Sequence, residues 1–417
     1  MARIAAELRN QMNIMANQDL IPVIIRRKEG VFRSQALPDH VEIEHAFELI
    51  PGEAIKVTPA TIEQLGRRED IEDIWPDLPV YACLNTSVPK INVPRIWETA
   101  GLRGRGIKVA IVDTGIDSNH PDFASRIMAS QSFVGGTAKD DNGHGTHVAG
   151  IVAGSGVQSN GKYIGVAPEA LLYVAKVLDA RGGGAMSGVM AGIEWAVLEQ
   201  KVQIINLSLG GAGPCDGTDA LSTLCDEAVT QAGVVVCVAA GNSGPGERTV
   251  GAPGCARRVI TVGATTDQDQ IAGFSSRGPT ADGRIKPDVC LPGVDIVAAQ
   301  AAGTQMGTVV AAGYVTANGT SMATPHATGV VALMLEANPA LTPEQVKARL
   351  LAGAVNIGAQ PNEQGVGRSD AWAAYQQARQ PIPPPTPTPP TPTPPPKPVQ
   401  PQPEPPGCLG SLFSRRK

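Results

Sequence analysis

The chain has 417 residues, a formal net charge of −5, 42% hydrophobic and 18% charged residues, which is too long and too apolar for a disordered chain. A pI near 5.8 and no Lys/Arg cluster larger than the terminal Arg415, Arg416 and Lys417 argue against nucleic acid as the main partner. The 47 glycines follow no G-X-Y period, which excludes collagen, and they announce many tight turns.

The first residues, MARIAAELRNQMNIMANQDL, are charged throughout and contain no apolar run of the kind that forms a secretory signal. A cytoplasmic location with reduced thiols is therefore expected. No stretch reaches the roughly 18 apolar residues of a membrane-spanning helix. Up to residue 84, PVIIRR, IEHAFELI, GEAIKVT, the helix-like PATIEQLGRRED and IEDIWPDLPVY predict a small α+β module of strands and two helices. From Gly106 to about Asn356, IKVAIVD, LLYVAKVL, VQIINLSLG, VVVCVAAGN and VITVGAT alternate with helical stretches. Near-continuous apolar strands of this kind predict an α/β fold with a doubly wound, mostly parallel sheet. Residues 381–406 hold 16 of the 36 prolines, interleaved with Thr. They predict an extended spacer reaching roughly 80 Å at about 3.1 Å per residue. The tip 407–417, GCLGSLFSRRK, has no partner that the sequence names.

Seven cysteines, at 83, 215, 225, 237, 255, 290 and 408, form no CxxC pair. Cys237 and Cys290 sit in apolar strand-like runs and read as core. Cys215 and Cys225, flanking a polar loop, are the candidates for a disulfide, although free thiols are the expectation for a reduced chain.

Three segments gather functional groups. In VAIVDTGID, Asp113 ends a buried strand; alone it would be a turn residue. In DDNGHGTHVAGIVAG, glycines lead into a small-residue helix with His144 at its start and His147 a turn later. Zinc is a poor reading, because the spacing lacks the Glu of HExxH and no third ligand follows. In NGTSMATPHATGVVALML, Ser321 opens a helix whose Pro325 is expected in the first turn, where a missing N–H costs nothing. A helix N-terminus offers free N–H groups to a developing oxyanion.

Together, in the order Asp113, His144, Ser321, these segments resemble the subtilisin-like serine peptidase family over about residues 90–375. The resemblance implies a serine endopeptidase in which His144 takes the Ser321 proton and Asp113 orients the imidazole. It assigns Asn242, in AAGN, to the oxyanion site, and Ser208, Leu209, Gly210, Gly182, Gly183 and Gly184 to the edges that pair with an extended polypeptide substrate. Ala239, Ala240 and Gly241 would wall the first specificity pocket, which, with no acidic residue after Asn242, implies a preference for apolar or neutral side chains. His326 matches a structural position. The module at 1–84 resembles the family's inhibitory propeptide, with 85–380 as the peptidase domain and cleavage expected between Leu84 and Asn85. The lack of a signal resembles the intracellular branch.

No cofactor is implied for catalysis. Asp122, in HPDF, matches a position that binds calcium in many relatives, so a structural calcium is an expectation. The loop from Ser155 to Lys162 is two residues longer than usual and has no carboxylate, so any such ion would depend on Asp122 with backbone and amide oxygens. Two other enzyme readings fail on order: an α/β-hydrolase needs a His well after its Ser, and GLRGRG precedes its strand instead of following it. A catalytically silent binding protein of the same shape would lack none of the four site residues, so the chemistry favours the enzyme.

Overall fold

The apolar runs pair into two of the three sheets among the described residues, and these two pack on separate cores. The computed structural model describes residues 2–5, 8–9, 12, 18–28, 36–38, 40–47, 51–77 and 86–381. The first sheet contains β1 (Arg3–Ile4), β2 (Ile21–Arg27), β3 (Ile43–Phe47), β4 (Gly52–Val57) and β5 (Ile71–Pro76), ordered β1-β5-β2-β4-β3. Alternation in β2 turns Ile21, Val23 and Ile25 to one face, where they pack with Ile62 and Leu65 of α1 (Pro59–Gly66). Thr58 caps α1 by accepting from the Thr61 N–H, and Pro59 sits in its first turn. This helix is shorter than PATIEQLGRRED suggested, because Arg68 turns to make a two-pronged pair with Asp70 at 2.8 and 2.7 Å. Asp70 also meets the buried Arg27 at 2.7 Å, and Glu53 meets Arg27 at 3.0 Å, so this interior cation is paired on two sides. Of the two helices expected here α1 is one, and Leu8, Arg9 and Met12 are helical as well.

The second unit begins with α2 (Val93–Ala100) and β6 (Lys108–Asp113), followed by β7 (Ile127–Ser132), α3 (His144–Ala153), β8 (Leu171–Lys176), α4 (Met186–Glu194) and β9 (Ile204–Leu207). Then come α5 (Ala220–Thr230), β10 (Val235–Ala239), β11 (Ile260–Thr265), β12 (Val289–Pro292) and the small strands β13 (Ile296–Ala299), β14 (Thr308–Ala311) and β15 (Tyr314–Ala317). The chain continues through α6 (Thr320–Ala337), α7 (Pro343–Ala352), β16 (Ala354–Val355), β17 (Arg368–Ser369) and α8 (Ala371–Ala378). The large sheet is ordered β16-β17-β12-β11-β10-β9-β6-β8-β7, parallel throughout apart from the β16–β17 pair. This is the doubly wound α/β sheet that the apolar runs predicted.

The pleat explains why those runs are apolar on both sides. Val109 and Ile111 of β6 pack with Val148 and Val152 of α3 and Val330 of α6, whereas Ala110 and Val112 face Ile193 of α4 and Leu221 of α5. Each such buried Val, Ile or Leu contributes about 1.5–3 kcal/mol. Helix α6 runs through the interior on small residues: a Cβ on Gly329 would lie 2.4 Å from the Val166 Cβ.

The cysteine expectation needs correction. Cys215 is bonded to Cys255, with Cα atoms 6.0 Å apart. Cys225 points from α5 into the core and is fully buried, which turns it away from Cys215. Cys237 and Cys290 are core residues whose thiols burial pushes up to about 12. Cys83 and Cys408, the Leu84–Asn85 bond and nearly all of the Pro/Thr spacer and tip lie outside the described residues. No described helix is long and apolar enough to cross a membrane.

Candidate active site

The chain leaves β6 toward β7 and β8 on one side and later adds β9 on its other edge, so the carboxyl ends of β6 and β9 border a crevice. Asp113 is the last residue of β6, Ser208 follows β9, Asn242 follows β10, and Gly182–Gly184 follow β8. Helices α3 and α6 begin at the same crevice, with His144 the first residue of one and Ser321 the second of the other. A cleft of about 650 Å³ is lined by His144, Ser208, Asn242 and Ser321 together with apolar walls.

Asp113 is fully buried and its Oδ1 accepts from the Thr114 N–H and from His144 Nδ1, both at 2.7 Å. With the proton fixed on Nδ1, His144 presents the lone pair of Nε2. The approach requires glycine on both sides. A Cβ on Gly145 would lie 2.3 Å from the Gly115 carbonyl, and Gly115 itself has φ +111°. Burial pulls the His144 pKa down, but the charge and hydrogen bond of Asp113 and the charge of Asp140 outweigh it, and the net direction is up.

Asp140 was not singled out by the sequence, although it stands in DDNGHGTH. It is buried and accepts from Thr114 Oγ1 (2.9 Å), the N–H groups of Asn142, Gly143 and Thr146 (3.1, 2.7 and 2.9 Å) and Thr146 Oγ1 (2.6 Å). These bonds tie the first turn of α3 to the end of β6 and hold its carboxyl below the usual range against the opposing effect of burial. His147 faces the interior, with Nε2 against the carbonyls of Ile296 (3.1 Å) and Val315 (3.2 Å). His326 is likewise buried, between Met322 O and Ser87 Oγ at 2.8 Å each.

Ser321 Oγ donates to the Ser208 carbonyl at 3.1 Å. Asn242 Oδ1 accepts from the N–H and the hydroxyl of Thr320, at 2.9 and 3.0 Å, which leaves Nδ2 as its donor at the cleft. A Cβ on Gly319 would sit 3.4 Å from that Nδ2 and 3.5 Å from the Ser321 N, so glycine keeps open the space between two donors. Thr320 thus fixes the amide orientation, a role that its place beside Ser321 in NGTS could have signalled. Pro325 does not sit in the first turn as expected. Helix α6 starts at Thr320, so the proline is its sixth residue, and the Ser321 carbonyl that a residue-325 N–H would satisfy is taken by Ser208 Oγ at 2.9 Å.

Of the three residues expected to wall the first pocket, Ala239 and Gly241 line the cleft. Ala240 does not. It packs on the other side with Val250 and Cys255, because neighbouring residues of an extended chain face opposite ways. Leu178, Met186, Val189 and Leu221, which the sequence did not mark, complete the apolar lining. Leu209 and Gly210 reach the cleft as expected, and so do Gly182, Gly183 and Gly184. Asp179 fastens that glycine loop, its N–H donating to Gly183 O (2.8 Å) and its carboxylate accepting from Gly183 N (3.1 Å).

Asp122 is occupied by protein donors. Its Oδ1 accepts from the Gln158 N–H (3.2 Å) and its Oδ2 from the Tyr314 hydroxyl (2.8 Å). Arg126 donates to the carbonyls of Asp122 and Ala153, placing a cation where a metal would take main-chain oxygens. Calcium needs six to eight oxygens, and both carboxylate oxygens of Asp122 already accept from protein donors. The donors around Asp122 do not fit the calcium that the resemblance implied.

Residues 104–367 match the Subtilase family (Peptidase_S8). Serine protease AprX of Bacillus subtilis (strain 168) is 39% identical over 337 residues, 75% of this chain and 76% of that protein. Subtilisin E from the same organism is 40% identical over 325 residues, 76% of this chain and 79% of the relative. Among solved structures, one titled a cold adapted subtilisin-like serine proteinase matches with a TM-score of 0.53 and 33% identity, covering 64% of this chain and 88% of that one.

Proposed function

The chain belongs to the subtilase family and is a serine endopeptidase, and from that premise we propose that Asp113, His144 and Ser321 are its triad. The observation that carries the proposal is the 2.7 Å contact between His144 Nδ1 and the buried Asp113, with His144 and Ser321 lining the same cleft. Ser321 Oγ attacks the peptide carbonyl while Nε2 takes its proton. That proton then goes to the leaving amine, and water releases the acyl group by the same route. Asp113 stabilises the imidazolium that forms. In the resting site the Ser321 hydroxyl points to Ser208 O; catalytic hydrogen bonds often tighten only once substrate is bound. The oxyanion enters the space beside Gly319, between Asn242 Nδ2 and the Ser321 N–H, as charge develops.

Substrates are polypeptides bound in extended form along Ser208–Gly210 and Gly182–Gly184. The Leu178, Val189 and Leu221 lining supports broad specificity that leans to apolar side chains. Residues 1–84 act as an inhibitory and folding propeptide, cut between Leu84 and Asn85 by the enzyme itself. A cytoplasmic location is part of this reading, and the Cys215–Cys255 bond is the feature that opposes it. The experiment is Ser321→Ala in the full chain. We expect no turnover of a chromogenic peptide and no internal cleavage, whereas wild type gains a new N-terminus at Asn85. Cleavage at wild-type rate in the variant would refute the assignment.

A further inference from the structure

We infer that the Ser208 hydroxyl is a positioning group for Ser321, separate from any pairing of its backbone with substrate; the inference rests on the proposed role of Ser321 as nucleophile. The starting point is Pro325. With no N–H, it leaves the Ser321 carbonyl without the helical donor that other rungs of α6 have. That carbonyl belongs to the nucleophile itself, one peptide unit from the group that must be placed.

Ser208 Oγ supplies the missing donor at 2.9 Å, and its direction is fixed by a buried relay. Thr328, on α6, donates its hydroxyl to Asn206 Oδ1 at 2.9 Å, sharing it with Thr324 O at 3.2 Å. Asn206 Nδ2 then points at Ser208 Oγ, also 2.9 Å away. An amide NH₂ only donates, so Ser208 Oγ accepts there and its single proton goes to the Ser321 carbonyl. Asn206 and Thr328 are fully inaccessible and Ser208 nearly so. The relay begins on α6, crosses to the end of β9 and returns to α6, while Ser321 Oγ donates to Ser208 O at 3.1 Å. Two reciprocal bonds therefore hold the serine pair in register across the one rung the proline opens. Misplacement of a reacting group by an ångström can cost about 10²-fold in rate.

The test uses the processed full-chain enzyme and two readouts: the second-order rate of labelling by a fluorophosphonate, and kcat and KM on a chromogenic peptide. Ser208→Ala is expected to lower labelling and kcat about tenfold or more with KM within about twofold, and Ser208→Thr, which keeps a hydroxyl, to recover most of the loss. Pro325→Ala restores an N–H to residue 325, so in that background Ser208→Ala should cost less than about threefold. Thr328→Val, which leaves Ser208 itself intact, should reproduce part of the loss and be suppressed by Pro325→Ala in the same way. Equal losses in both backgrounds, or a loss wholly in KM, would overturn the inference. A wild-type enzyme that the probe does not label would instead refute the role of Ser321.

Discussion

His144 and His147 stand one turn apart on α3, carry the same side chain and lie in opposite settings. The first reaches the cleft, with 22% of its side chain exposed, and is paired with Asp113; charges on Asp113 and Asp140 keep it readily protonated. The second is buried against the carbonyls of Ile296 and Val315 and its Nδ1 has no partner among the described residues. Burial, with the nearby charge of His144, pulls its pKa down to about 4. The lesson is that residue type gives neither role. On the cleft face of α3 acidic partners raise the pKa of the ring, and on the interior face two main-chain carbonyls hold a neutral strut joining the helix to β13 and β15.

The contrast is broken most severely at Asp113. Asp113→Asn should lower kcat about 10⁴-fold, since an amide there favours the wrong tautomer of His144. His147→Leu should leave kcat within about tenfold while lowering stability by about 1–3 kcal/mol. Peptide assays beside urea unfolding check both, and a loss of kcat in His147→Leu equal to that of Asp113→Asn would erase the distinction.

Burial of His147, and of His326 on α6, also weakens the fold in acid. His147 and His326 both have pKa values lowered to about 4 from 6.5. Between those values the unfolded chain binds protons that the folded chain does not, so stability is complete above pH 6.5 and falls as pH drops to 4, by about 3 kcal/mol for each ring. Urea unfolding of the inactive Ser321→Ala chain across that window should show the fall, and His147→Leu should flatten the slope. An unchanged slope would mean that His147 is not buried as a neutral ring.

The smallest effect is expected where Tyr314, next to Val315, meets Asp122. With Gln158, Tyr314 and Arg126 supplying donors, EDTA or millimolar calcium should not move the melting temperature of the Ser321→Ala chain through this site, whereas Tyr314→Phe should lower it by a few degrees. A calcium-dependent rise that Asp122→Asn abolishes would restore the metal to this position.

Much of this was legible in the sequence. Five of the nine strands of the large sheet, β6 and β8–β11, stand at the five apolar runs, because a strand buried on both faces has no polar alternation to blur it. His144, Asn242 and Ser321 meet at one cleft, with Asp113 buried behind His144, because each stands at or just past a strand end or in the first turn of a helix. What the sequence hid depends on direction and on distant partners. The side on which Ala240 lies follows from one peptide's orientation. The partner of Cys215 is 40 residues away and not ten. Pro325 falls past the first turn because the helix begins at Thr320, a residue before the serine. Asp122 kept its position in HPDF, but the donors that occupy it come from residues 158 and 314, which no local motif connects.

In the proposed mechanism everything turns on activation of Ser321 by His144. The most direct test is the pH dependence of Ser321 labelling by a fluorophosphonate in processed enzyme, located by peptide mass mapping. We expect a single label on Ser321, a rate that rises with pH through a midpoint above 6.5 because the base must be neutral and its pKa is raised, and near-complete loss of labelling in His144→Ala. Labelling of Ser321 at the wild-type rate in His144→Ala, or an active enzyme labelled elsewhere, would contradict it.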